Sequence, residues 1–237
     1  MPERNAFAKP QFEPLGEAAL LLRFGDRLES ELAHHVQSFA RGLRASTPPG
    51  VLDLVPAYAS LAVHFDPLQI DLDAVAAWVR TRLREGDHGR SARDGRRIEI
   101  PVCYGGDYGP DLADVAAHAG LSEEAVIALH SGGDYVVAMI GFLPGFPYLL
   151  GLDPRLEMPR LPTPRPEVPA GAVGIGGAQT GIYPQQSPGG WRLIGRTPEQ
   201  LFDSARAEPS LLQPGDRVRF VAIAALDFKR LQREQPA

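Results

Sequence analysis

The sequence predicts an α+β protein of two domains, and three observations carry that expectation. Apolar residues in the first third switch period in the order β-α-β-β-α. Glu85 to Arg97, EGDHGRSARDGRR, then holds no large apolar residue and is rich in glycine and charge, as an inter-domain linker is. Beyond it, short apolar runs alternate with Gly and Pro corners, the pattern of a small barrel. The expected boundaries are residues 1–85, a linker over 86–97, and 98–237.

In the first domain, Ala18 to Phe24 is an apolar run closed by Gly25-Asp26, a strand and its turn. Leu28, Leu32, Val36, Phe39 and Leu43 recur on one helical face that ends in Ser46-Thr47-Pro48-Pro49-Gly50. Val51 to Val55 and the alternating Leu61, Val63 and Phe65 predict two strands, and Leu72, Val75, Ala76, Val79 and Leu83 predict a second helix. Sheet and helices in this order suggest a small ferredoxin-like layer.

The second domain opens on a strand from Ile98. A loop at Tyr104 to Pro110 leads to Asp111 as N-cap of a helix stopped by Gly120. Ser122, followed by Glu123 and Glu124, starts another helix that ends near Gly132, and Tyr135 to Ile140 is an apolar strand. Thr197-Pro198-Glu199-Gln200 has the residues of a helix start, and Pro214-Gly215-Asp216 turns into a last strand with Val218, Phe220 and Ala222.

Composition excludes several function classes. A net charge of −5 argues against general nucleic-acid affinity, which clustered Lys and Arg supply. Lysine occurs only at positions 9 and 229, and no Gly-Lys-Ser/Thr occurs, so neither a P-loop nor a mid-fold Schiff-base lysine is expected. Cys103 is the sole cysteine, on a strand where a small core hydrophobe is the ordinary role. No HxH, HExxH or CxxC signals a metal, and no apolar run approaches membrane-span length; a cytoplasmic protein is expected.

The informative stretch is Val168 to Trp191. It has no charged residue, and seven of its positions are glycine, at 171, 174, 176, 177, 181, 189 and 190. Val173, Ile175, Ile182, Tyr183 and Trp191 distinguish it from a linker. Gln179, Thr180, Tyr183, Gln185, Gln186 and Ser187 are uncharged hydrogen-bonding groups, with Arg160, Arg165, Arg192 and Arg196 on either side. Neutral donors between arginines suit a small anionic or amide-bearing ligand; an irregular β core with Gly and Pro corners accounts for the same residue types. His130 is a general base if the fold returns it to this run, and a capping or core histidine otherwise. Residue chemistry ends at a two-domain protein with a small-molecule cleft in its second domain.

Longer motifs add to this. The run Gly141-Phe142-Leu143-Pro144-Gly145-Phe146-Pro147-Tyr148-Leu149, the pairs Pro159-Arg160 and Pro164-Arg165, Val168-Pro169-Ala170-Gly171 and Gln179 to Pro184 resemble the allophanate hydrolase subunit 1 family. The most specific match is Ser187-Pro188-Gly189-Gly190-Trp191 with Leu193 to Pro198. That family includes Kip-type inhibitors of sensor histidine kinases and the B subunits of bacterial ATP-dependent 5-oxoprolinases, and the chain looks most like the latter. The resemblance implies a cyclophilin-like barrel for the second domain. It also implies ATP as co-substrate and two partners. One is a second cyclophilin-like protein, the C subunit, the counterpart of allophanate hydrolase subunit 2; the other is a separate A subunit. The complex would convert 5-oxoproline, ATP and water to glutamate, ADP and phosphate. His130, Tyr183 and Ser187 are the candidate catalytic residues. Arg160, Arg165, Gln179, Thr180, Gly189, Gly190 and Arg196 are the candidate substrate-binding residues, with one of Arg160 and Arg165 expected on a carboxylate or phosphate. Two alternatives remain: an allophanate hydrolase or other urea-pathway component, and a non-enzymatic kinase inhibitor.

Overall fold

The computed structural model describes residues 9–85 and 95–234. The chain divides into two compact units, Met1–Asp94 and Gly95–Ala237. Apart from residues 95–97, the expected linker lies outside the described residues.

The first unit is an antiparallel sheet covered by two helices. A hairpin of β1 (Gln11–Pro14) and β2 (Ala19–Arg23) leads to α1 (Ser30–Arg44), β3 (Val51–Pro56), β4 (Ser60–Phe65) and α2 (Leu72–Glu85). The sheet order is β1-β2-β4-β3, so β4 inserts between the two strands that α1 connects, the split crossover of a ferredoxin-like layer. The sequence pattern omits β1, whose four residues follow Pro10, end at Pro14 and show no apolar run. Leu32, Val36, Phe39 and Leu43 of α1 bury against Leu20, Leu22, Leu61 and Val63, as their spacing requires. Leu28, expected on the same face, precedes the helix and is exposed.

The second unit is built on β5 (Arg97–Tyr104), α3 (Leu112–Ala119), α4 (Glu123–Gly132), β6 (Tyr135–Ile140), β7 (Pro147–Leu150), β8 (Arg165–Val168), β9 (Ala172–Gly176), β10 (Gln179–Ile182), β11 (Ser187–Gly189), β12 (Arg192–Arg196), β13 (Arg217–Ala222) and α5 (Ala225–Glu234). Seven strands close a barrel in the order β10-β7-β6-β13-β5-β12-β9. The β5–β13 pair is parallel, joining the start of the unit to its end, and the other pairs are antiparallel. Strands β8 and β11 form a separate two-stranded sheet.

Alternation along the strands sorts two apolar clusters. Val102, Tyr135, Val137, Leu149, Val173, Ile175, Ile182, Ile194 and Phe220 share one core, closed over by α3 and α4. Phe146, Val168, Tyr183, Trp191 and Leu193 form a second cluster, drawn from β8, β12 and residues flanking β7, β10 and β12. Helix α4 has the expected cap, with Ser122 Oγ accepting from Ala125 N–H at 3.2 Å. Gly120 stops α3 in the left-handed conformation.

Two expectations fail locally. Thr197 to Gln200 is not helical: Thr197 Oγ1 accepts from Glu199 N–H at 3.1 Å, a local turn that satisfies the same donor a helix cap would. Helix α5 is not expected from the sequence, because its ten residues are mostly polar and it buries only Phe228, against Tyr108 and Arg196.

Candidate functional site

The glycines of the 168–191 run make room for aromatic rings. A Cβ on Gly176 would lie 2.6 Å from Trp191 Cε2, and one on Gly181 would lie 3.0 Å from Trp191 Cζ3 and 2.7 Å from the Pro147 carbonyl. A Cβ on Gly189 would lie 2.7 Å from Tyr183 Cε1. Trp191 and Tyr183 therefore lie against bare backbone, and the Gly-rich composition is packing chemistry. Gly176→Ala is expected to destabilise the protein by about 1–3 kcal/mol by overpacking, and to shift Trp191 fluorescence. Denaturant unfolding followed by tryptophan emission checks this; an unchanged midpoint would mean the ring is not seated there.

Above this floor the aromatic rings meet edge to face. Phe146 lies 5.2 Å from Tyr183 and 5.5 Å from Trp191 between centroids, and Tyr148 lies 5.9 Å from Trp191. The Arg160 guanidinium carbon sits 5.8 Å from the Trp191 ring centroid, a cation–π contact. Gly190 contributes through its carbonyl, which accepts from Leu161 N–H at 2.7 Å and fixes the segment that carries Arg160. Burial pushes the Tyr183 and Tyr148 hydroxyls up; a backbone hydrogen bond with Trp191 and then the Arg160 charge oppose this at Tyr183, and Arg160 opposes it at Tyr148.

The two arginines of the Pro-Arg pairs differ in their electrostatics. Arg165 is neutralised within the chain: its Nη2 donates to Asp111 Oδ1 at 2.6 Å, and Asp111 Oδ2 accepts from Leu193 N–H at 2.6 Å. Asp111, expected as the N-cap of α3, stands at that position but its side chain caps nothing in the helix. Arg160 is exposed and has no carboxylate within ion-pair distance among the described residues. Arg196 donates from Nε to the Ala170 carbonyl at 2.7 Å and lies over Phe228, apart from this cluster.

His130 is returned to the glycine run, inside the barrel core. It is fully buried and stacks on Phe220 at 4.5 Å. Its Nδ1 lies 2.8 Å from Tyr104 Oη and its Nε2 lies 3.0 Å from Thr180 Oγ1. Thr180 donates its one proton to the Gly174 carbonyl at 3.0 Å, so it accepts from Nε2–H, and Nδ1 in turn accepts from Tyr104. The ring is thus held as the neutral Nε2–H tautomer, and desolvation lowers its pKa to about 3. Tyr135 Oη donates to the His130 carbonyl at 2.8 Å. Both ring nitrogens are occupied, and the ring packs on Phe220 in the barrel core, whereas Tyr183 belongs to the other apolar cluster. Ser187 Oγ is buried without a hydrogen-bond partner, and Gln179 is buried at the start of β10.

The structure therefore brings together Arg160, Arg165, Tyr183, Ser187, Gly189 and Gly190, and leaves His130, Thr180 and Arg196 elsewhere. Asp111, Tyr148 and Trp191 belong to the cluster without being candidates on sequence grounds. Trp191 and Tyr148 fall within the family motifs, whereas Asp111 reads only as a helix cap. Burial raises the Cys103 thiol, which suits a core residue. An open cleft of about 370 Å³ between the end of α4 and residues 151–154 is lined by none of the expected site residues. Among the described residues, no three His, Cys, Asp or Glu side chains form a group that could hold a metal ion. No described helix is long and apolar enough to cross a membrane.

The family model for the carboxyltransferase domain, subdomains C and D, matches residues 10–212. The chain is 42% identical over 234 residues to the 5-oxoprolinase B subunit of Bacillus subtilis, covering 94% of this chain and 97% of the relative. It is 46% identical over 212 residues to the 5-oxoprolinase B subunit of Escherichia coli O157:H7, covering 87% and 93%. A urea amidolyase of Saccharomyces cerevisiae is 23% identical over 94% of this chain and 14% of that protein. Among solved structures, TTHA0988 matches with a TM-score of 0.76 at 43% identity, over 88% of this chain and 40% of that one. The Kluyveromyces lactis urea carboxylase, at 18% identity and a TM-score of 0.75, shares the fold over 97% of this chain and 23% of its own.

Proposed function

We infer, from a chain that belongs to the carboxyltransferase subdomain C and D family and within it to the 5-oxoprolinase B subunits, that this protein is the B subunit of an ATP-dependent 5-oxoprolinase. The observation that carries the reading is identity of 42–46% over nearly the full length of proteins with that one name. The urea-pathway relatives are only 21–24% identical and contain the matched region as about one seventh of much longer chains, which ranks that alternative lower.

The reaction opens a five-membered lactam, a resonance-stabilised amide, to glutamate. Phosphorylation of the lactam oxygen by ATP would make the carbonyl carbon electrophilic enough for water to attack. ATP is a substrate of the complex in this reading. Neither the sequence, which lacks a Gly-Lys-Ser/Thr loop, nor the aromatic cluster offers a phosphate cradle of its own. In the same reading this chain binds and orients 5-oxoproline.

Arg160 is the group suited to the 5-oxoproline carboxylate. It is cationic, exposed, braced by the Trp191 ring and not neutralised by a carboxylate, whereas Arg165 is held by Asp111. The Tyr183 hydroxyl and Ser187 Oγ stand in the same cluster as neutral donors, with Arg165 stiffening their surroundings. His130 is a positioning residue, since its buried neutral ring orients β9 and β10 through Thr180 and cannot readily take a proton.

The test is ATP-dependent glutamate formation from 5-oxoproline by this chain alone, by its two partners alone, and by all three together. Activity in the complete mixture alone is expected; none in any mixture of folded proteins would overturn the reading. In the complete mixture, Arg160→Ala is expected to raise KM for 5-oxoproline tenfold to a hundredfold, the loss of a charge-assisted hydrogen bond of about 1.5–3 kcal/mol. An unchanged KM would remove Arg160 from the site.

A further inference from the structure

Phe142 combines two features that folding alone does not favour. Among the described residues it is the one non-glycine with a positive φ, at 66°. A bulky aromatic side chain there is strained, and glycine or asparagine would adopt the same turn more easily. The residue is also 60% exposed, so burial does not compensate for the strain. The turn is otherwise firmly made: Phe146 N–H donates to the Leu143 carbonyl at 3.0 Å, and Gly141 N–H donates to the Phe146 carbonyl at 3.2 Å. Gly145 supplies the second left-handed residue at φ 81°, where a Cβ would lie 2.8 Å from Phe202 Cβ. The backbone thus holds position 142 in a glycine-like conformation that carries a phenyl ring.

The ring is directed at the cluster described above. Its centroid lies 5.6 Å from Phe146 and 6.5 Å from Tyr183, perpendicular to both within a few degrees. Tyr183 thus has Phe142 against its ring at 6.5 Å, and Trp191, which lies in the same aromatic cluster, carries Arg160 over its own ring at 5.8 Å. A compact ligand that is anionic at one end and hydrocarbon at the other matches these two neighbours.

We propose that Phe142 is a substrate-contacting residue of the Arg160 site, whose ring packs on the hydrocarbon face of a small cyclic carboxylate while Arg160 holds the carboxylate. The inference rests on the 5-oxoprolinase reading and deepens it: the two ring methylenes of 5-oxoproline are the groups that would lie against Phe142. Removing two methylenes from apolar contact corresponds to about a tenfold loss of affinity.

The test is Phe142→Asn, since asparagine is several-fold enriched among non-glycine residues at positive φ and removes the ring without adding a β-branch. Thermal unfolding of the full chain, co-purification with the partner proteins, and KM and kcat for 5-oxoproline in the complete mixture are measured beside Arg160→Ala. Expected is an unchanged or higher Tm, unchanged co-purification, and KM raised about tenfold with kcat altered less than threefold. Rescue of KM by Phe142→Leu, which restores an apolar face, is also expected. A lower Tm with normal KM would make Phe142 a packing residue and overturn the proposal. Loss of co-purification would make it a contact between the proteins of the complex, with the same consequence. If Arg160→Ala leaves KM unchanged while Phe142→Asn raises it, the carboxylate assignment fails and the Phe142 contact stands.

Discussion

Asp111→Ala is expected to destabilise the second unit by about 3 kcal/mol, far more than its position in a loop before a short helix suggests. One carboxylate serves two partners on distant segments, Arg165 of β8 at 2.6 Å and Leu193 N–H of β12 at 2.6 Å, with its own N–H donating to the Leu193 carbonyl at 2.9 Å. Its side chain is only 7% exposed, so solvent does not replace what is removed. Truncation leaves a part-buried guanidinium without its counter-charge and a buried N–H without an acceptor, the situation in which deleting one partner is most destabilising. Asp111→Asn keeps an acceptor for Leu193 and should fall between wild type and alanine. Urea unfolding followed by tryptophan fluorescence measures the series. A loss below about 1 kcal/mol for Asp111→Ala would show that the bridge is dispensable.

The second large effect is a pH dependence set by His130. Burial holds its folded-state pKa near 3, below the ordinary value of 6.5 that the unfolded chain recovers. Folding therefore requires the neutral ring. The stability this contributes is complete above about pH 6.5 and declines as pH falls from there toward 3. The slope is about 1.4 kcal/mol per pH unit, so about 3 kcal/mol should be lost between pH 7 and pH 4. Carboxylates titrate in part of this range, and the histidine is isolated by subtraction. Wild-type stability minus that of His130→Gln, each measured by urea unfolding at several pH values, should shrink as pH is lowered. A difference that stays flat from pH 7 to pH 4 would mean that the ring is protonated in the folded protein or hydrated there.

These two residues illustrate how far local pattern reaches. Asp111 is legible as a helix N-cap because cap chemistry depends on residues two or three positions away. Its actual partners are 54 and 82 positions distant, and no periodicity connects them. His130 is open, on sequence alone, between base and core residue. The choice depends on which side of α4 faces the barrel and on a strand fifty positions later.

What the sequence determined by itself was the succession of the local elements α1, α2, α4, β4 and β6, whose existence follows from apolar spacing or, for α4, from its capping serine. The motifs around Phe142 to Leu149 and Ser187 to Trp191 determined the family. Both kinds of information are local, because helix and strand faces repeat every few residues and a motif is a contiguous string. Barrel closure decided the rest. The parallel pairing of β5 with β13 joins residues 120 positions apart along the chain. The same closure assigns alternate residues of β9 and β10 to opposite sides, so Thr180 meets His130 while Gly181 leaves room for Trp191. The tertiary structure also neutralises Arg165 and leaves Arg160 without a partner carboxylate, a distinction that two Pro-Arg pairs in the same short stretch cannot express, because it depends on which carboxylate the folded backbone delivers to each.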